Sequence, residues 1–134
     1  MSAKNYKKLI AKQFSQDFQS AIEIVEISLA KPAANEILIC NKFAGINSGF
    51  DILLCQGKVP YIDLIPPFDL GVEAVGEVVA VGEDVQDFQV GDAVVTTLRG
   101  GGYREYQAID AKLAVKVREA TPEVLTLMPT GISA

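Results

Sequence analysis

The stretch Gly71-Val72-Glu73-Ala74-Val75-Gly76-Glu77-Val78-Val79-Ala80-Val81-Gly82 sets glycines into an apolar, valine-rich run. Valines suit a pleated, half-buried strand, whereas a glycine inside a strand weakens it and marks a bulge or a close backbone approach. Gly76 therefore reads as a point where a neighbouring backbone comes near the strand. Gly82 and Gly91 read as turn positions that take positive φ, and Val85, Phe88 and Val90 as the side chains that pin the intervening loop to the core.

Outward from this run, short segments rich in Val and Ile and bounded by Gly, Pro, Asn or Asp recur at 21–29, 36–43, 92–98, 103–109 and 113–117. With residues 73–81 they predict a mainly β domain, a barrel or sandwich. The last segment alternates, with Leu113, Val115 and Val117 on one face, and should be half-buried on that face. Short helices interrupt the strands. Ser48-Gly49-Phe50-Asp51 looks like a capping box followed by Leu53 and Leu54, with a stop at Gly57. Thr121-Pro122-Glu123 gives a cap, a proline at the first helical position and an early acid before Val124, Leu125, Leu127 and Met128; Pro129 ends that helix. Between the helices, residues 58–70 form a stiff proline-rich loop whose aromatics either pack down or line a cleft. Gly100-Gly101-Gly102 lacks the spacing of a phosphate cradle and reads as a flexible hairpin or loop tip.

Composition narrows the function. The 134 residues fit one domain, 1–134, and 49% hydrophobic with 22% charged residues belongs to an ordered globular chain. A net charge of -5 argues against nucleic acid as a partner, since phosphates call for a basic face. The one basic cluster, Lys4, Lys7, Lys8 and Lys12, reads as a solvated terminal segment. No apolar run is long enough for a membrane span and no secretory signal opens the chain, which suggests a cytoplasmic protein. Cys40 and Cys55 suit reduced thiols, Cys40 as a buried structural one. The chain contains no histidine, which removes Ser-His, Cys-His and histidine-ligated zinc chemistry together.

The run from Gly71 to Val94 resembles the signature of the medium-chain dehydrogenase/reductase superfamily, which includes zinc alcohol dehydrogenases, quinone oxidoreductases and enoyl or prostaglandin reductases. Ala44-Gly45-Ile46-Asn47-Ser48-Gly49-Phe50-Asp51 is similar to that family's Gly-Val-Asn-x-x-Asp segment, with one extra residue before Asp51. Pro66-Pro67-Phe68-Asp69-Leu70-Gly71, Gly102-Tyr103-Arg104-Glu105-Tyr106 and residues 121–134 resemble the zinc-independent prostaglandin-reductase and quinone-oxidoreductase branch. The resemblance implies a GroES-like, partly open β-barrel with short helices, the N-terminal catalytic domain of such an enzyme.

It also implies a chemistry. In family terms the first zinc-binding cysteine falls at Asn47 and the histidine at Val72, followed by the retained Glu73, so no zinc is expected. Zinc-free relatives reduce activated alkenes, such as enones and 15-oxoprostaglandin-like compounds, or quinones, with hydride from NADPH. Asn47 matches a position beside nicotinamide and substrate, or else only holds the turn before the helix. Ser48, Thr130 and Ser133 offer hydroxyls near the cofactor. Some quinone oxidoreductases place a tyrosine where Leu53 stands; Tyr61 is the substitute candidate, with packing as its alternative role. The chain ends where family members enter the dinucleotide-binding Rossmann domain, so its absence and inactivity of this portion alone are expected. An incomplete barrel exposes edges, which predicts a homo-oligomer. The alternative reading is a non-enzymatic GroES-like module for binding or self-association.

Overall fold

In the computed structural model, which describes residues 4–46, 48–59 and 64–126, the valine-rich run forms one strand, β5 (Glu73–Val81). Numbered in chain order, the other strands are β1 (Asn5–Ala11), β2 (Ile22–Ser28), β3 (Glu36–Gly45), β4 (Phe68–Asp69), β6 (Ala93–Thr96), β7 (Tyr106–Asp110) and β8 (Ala114–Val117). They build two antiparallel sheets, β2-β1-β4 and β7-β3-β5-β6-β8. Helices are short: α1 (Phe18–Ala21), α2 (Ser48–Cys55) and α3 (Pro122–Thr126). The mainly β, unclosed architecture expected from the strand pattern is what forms.

β3 and β5 are the spine of the larger sheet, running from Ile37 opposite Val81 to Gly45 opposite Glu73. Gly76 is opposite Asn41, where a Cβ would collide with the Cys40 carbonyl oxygen. The expected close approach is therefore real. Gly91 has φ 99°, as a turn residue should. Gly82 does not take positive φ; it is needed because the carbonyls of Ala33 and Ala34 press on its Cα. One core cluster joins Ile37, Ile39, Val78, Val94 and Ile109 across the sheet, with Val85 and Phe88 packed on it. Val90, expected with them, is exposed. A second cluster joins Ala11, Ala21, Leu54, Cys55, Val59, Phe68 and Leu70, where α2 meets the smaller sheet.

The two sheets are stitched by residues 100–105. Tyr103 O accepts from Leu9 N at 2.8 Å and Glu105 N donates to Lys7 O at 3.0 Å, both on β1, while Asn41 N on β3 donates to Glu105 O at 2.9 Å. The same segment crosses residues 70–71 backbone to backbone: Gly100 N donates to Gly71 O at 2.7 Å and Tyr103 N to Leu70 O at 3.1 Å. Gly71 sits there at φ 90°, and a Cβ on it would run into Tyr103 N and Gly102 Cα. The glycine triplet expected at a flexible tip is thus a buried crossing, with Gly101 and Gly102 both inside. Glycine serves close approach here, and freedom of motion is not its role.

Other expectations need correction. The lysine-rich segment is no free terminus: it is β1, the central strand of the smaller sheet, with Tyr6 and Ala11 buried beneath it. Lysine stems lie along such a surface while their heads reach polar partners, so charge concealed the strand. β8 has its small residue inward: Ala114 is buried while Leu113 and Val115 face out, Val115 62% exposed. As an edge strand beside β6 it covers the core with Ala114 alone. Cys40 is half-buried and Cys55 is the fully buried thiol. α2 begins at Ser48, the first residue of the expected capping box, and the residue before it lies outside those described. Gly57 does end that helix, at φ 73°, with Lys58 N closing back on Leu53 O at 2.9 Å. α3 starts at Pro122 as expected and packs across β3 and β5; the part of that helix expected beyond Thr126 lies outside the described residues.

The crossing makes a graded prediction. Gly71→Ala should lower stability by about 3 kcal/mol, combining overpacking with a strained φ. Gly49→Ala, in open space on α2, should raise it by about 0.5–1 kcal/mol. Urea unfolding midpoints in the opposite order would contradict the assignment.

Candidate functional site

α2 presents one stripe inward, Asp51, Leu54 and Cys55, spaced three and four residues apart as a helix face requires. Two of these are apolar neighbours of the second core cluster. Asp51 is a carboxylate only 3% exposed. Burying such a group demands partners. Tyr103 Oη donates to Asp51 Oδ2 at 2.6 Å, and the phenol is positioned by the backbone crossing that clamps Tyr103 on both sides. Asp51 Oδ1 accepts no hydrogen bond among the described residues. Burial pushes the Asp51 carboxyl above the usual carboxylate range, and the Tyr103 hydrogen bond opposes that rise. Burial likewise pushes up the Cys55 thiol, with the Asp51 charge adding to it, so Cys55 is an inert structural thiol.

A cavity of about 380 Å³ opens beside this pair. Leu9, Phe18, Ala44, Ile46 and Ile52 give it apolar walls, and Ser48, Asp51 and Tyr103 supply its polar groups. Ile46, the residue before Asn47, is 81% exposed at its rim. Apolar walls with a few convergent polar groups and a perturbed acid are the usual makeup of a small-molecule site. Across the β3–β5 ladder, Glu73 is opposite Gly45, and a Cβ on Gly45 would lie 3.2 Å from Glu73 Oε1. The carboxylate therefore lies over the end of β3, and burial pushes Glu73 upward too. Val72 beside it is half-buried and offers no lone pair.

Of the residues singled out in the sequence, Ser48 lines the cavity from the first turn of α2. Asn47, Tyr61, Thr130 and Ser133 lie outside the described residues. Asp51 and Tyr103 were each visible as members of family-like segments, 52 positions apart. Nothing in either segment announces the other, and only the crossing at Gly71 brings them together. A zinc site would need several N, S or O donors converging on one point. Among the described residues no group of three Cys, Asp or Glu does so. No Lys or Arg stands among the described residues that line the cavity, so they offer no counter-ion to a phosphate.

The raised Asp51 carboxyl fixes a pH trend. A group whose pKa is higher in the folded state stabilises fully below its ordinary value of 3.8 and loses that contribution as pH rises through the raised value. Native protein should therefore lose stability relative to Asp51→Asn as pH rises from about 3.8 through the raised value of the Asp51 carboxyl. Glu73 titrates alike in both proteins and cancels. Thermal melts whose difference does not change with pH would contradict the burial of Asp51.

Comparison with known proteins agrees with this architecture. Residues 33–119 match the family described as alcohol dehydrogenase GroES-like domain. Prostaglandin reductase-3 of Mus musculus is 33% identical over 130 residues, covering 96% of this chain and 34% of that protein. The "Probable quinone oxidoreductase" of Leishmania amazonensis is 33% identical over 134 residues, covering 99% of this chain and 38% of its own length. Among solved structures, Escherichia coli quinone oxidoreductase complexed with NADPH superposes with a TM-score of 0.70 at 29% identity, over 86% of this chain and 34% of that one. The chain thus spans about a third of the length of these relatives. Among the described residues no helix is long and apolar enough to cross a membrane. The family match, the relatives and the superposed structure agree: the chain belongs to the medium-chain dehydrogenase/reductase superfamily, as an alcohol dehydrogenase GroES-like domain.

Proposed function

We propose that this domain is the substrate side of a zinc-independent, NADPH-dependent reductase of activated alkenes or quinones. The observation that carries the reading is the apolar cavity at the start of α2, to which Val72 adds a residue without a lone pair at the position where the resemblance puts a zinc ligand. With no metal to polarise a carbonyl, hydride transfer to an electron-poor carbon of an enone or quinone is the reaction such a site can support. NADPH, when bound, supplies that hydride. Ser48, which lines the cavity, is the described candidate for contact with it or the substrate, and Asn47, Tyr61, Thr130 and Ser133 are the further candidates. The phosphates belong on a dinucleotide-binding domain, since the cavity carries no cation among its described lining residues. Two free thiols accord with a cytoplasmic setting.

Two measurements test this. Joined to a dinucleotide-binding domain of its superfamily, the chain should turn over an enone or quinone with NADPH, while the 134-residue chain alone should not; NADPH consumption by the isolated chain would refute that division of labour. Elemental analysis should find zinc well below one per chain, and stoichiometric zinc would overturn the metal-free reading. The alternative, a GroES-like module for binding or self-association, is favoured by the exposed Val115 on edge strand β8 and the exposed Leu113 just before it. Self-association should appear as a dimer or larger species by sedimentation at micromolar concentration; a clean monomer would count against it.

A further inference from the structure

The cavity beside Asp51 has a charge character as well as a shape. Its one ionisable acid is Asp51, 97% shielded from solvent yet holding a carboxylate oxygen with no partner among the described residues. No Lys or Arg stands among the described residues that line it. The neighbouring groove does carry cations, Lys7, Lys8, Lys42 and Arg104, but they line that groove and not this cavity, and Lys8 and Arg104 are both held by Asp69, each at 2.9 Å. An anionic group entering the cavity would meet apolar walls, no counter-ion and a carboxylate in low dielectric. Like-charge juxtaposition of that kind is a strong means of rejecting a ligand.

We propose that Asp51 and the cation-free walls of this cavity make it selective for neutral enones or quinones, and that a carboxylate is rejected there on charge. The inference rests on the substrate-side reading above and narrows it: of the compounds that reading admits, the uncharged ones enter here, and an acid-bearing chain must keep its acid outside. Tyr103 is a positioning residue in this scheme, since it holds Asp51 through Oδ2.

The test compares three ligands on the 134-residue chain without NADPH, followed by methyl resonances of Ala44 and Ile52 in heteronuclear NMR titrations. The ligands are 4-phenylbut-3-en-2-one, its para-carboxylate and the methyl ester of that carboxylate. The parent enone and the ester should bind, and the carboxylate should bind at least about tenfold more weakly. Asp51→Asn should narrow that gap. Ile52→Lys, at the partly exposed wall, should narrow it further by supplying a cation without touching Asp51. A carboxylate that binds as well as the parent overturns the proposal. So does an ester that fails with the carboxylate, because size and not charge would then be decisive, and so does binding by none of the three. Because no turnover is read, discriminating binding without reductase activity in the joined protein would refute the reductase reading alone. Turnover with indifferent binding would refute this inference alone.

Discussion

The arrangement hangs on one contact, the crossing of residues 100–103 over Leu70 and Gly71. Two backbones meet there with no side chain between them, and the hydrogen bonds from Gly100 N to Gly71 O and from Tyr103 N to Leu70 O close the contact. On one side the crossing segment pairs with β1, on the other with β3. The smaller and larger sheets therefore share a strand-like segment that belongs fully to neither. Without the glycines this approach is sterically closed, and the cavity, which takes walls from β1, β3 and α2, would lose its common frame.

The amide nitrogens brought inside by the crossing are satisfied locally, while Gln107 Oε1 accepts no hydrogen bond among the described residues. Asn41 Nδ2 donates to the carbonyls of Gly101 and Arg104, both at 2.9 Å, and Gln107 Nε2 donates to Asn41 Oδ1 at 2.9 Å and to Thr96 Oγ1 at 3.0 Å. The chain of amides ties β3, β6 and β7 to the glycine segment from within. On the other side Arg104 bonds Asp69 Oδ2, the Tyr6 hydroxyl and the Tyr106 carbonyl, while Lys8 takes the second Asp69 oxygen. Partly buried, charge-assisted partners of this kind, with one carboxylate shared by two cations, hold geometry better than exposed pairs, which contribute little. The outcome is a rigid frame on the Arg104 side of the crossing and a softer, apolar opening on the Asp51 side.

How much of this the sequence reveals depends on the kind of signal. β5 was legible to the residue, since valines repeat without competing cues, and β3 nearly so. β1 was hidden because Lys7 and Lys8 within it and Lys4 and Lys12 beside it outweigh Tyr6, Leu9 and Ala11 in any count of charge. β8 misled in the opposite way: its larger side chains alternate cleanly, yet an edge strand can turn its small residue inward when the adjacent core has little room. Family resemblance placed Asn47 and Ser48 near the chemistry and reads Val72 as a metal position emptied of its ligand. It could not join Asp51 to Tyr103, because that contact is made by the path of the chain across Gly71 and carries no local pattern.

The glycine crossing also bears on how such a domain changes over generations. Leu70, Val72, Tyr103 and Arg104 all sit within a residue or two of the junction, yet the junction is closed by main-chain atoms and so makes no demand on their identity. A substitution at Val72 or Tyr103 can alter what the neighbouring pocket does while the strands remain where they are. Architecture at this point is written in glycines and main-chain atoms, and the side chains that chemistry would use stand in the adjacent letters.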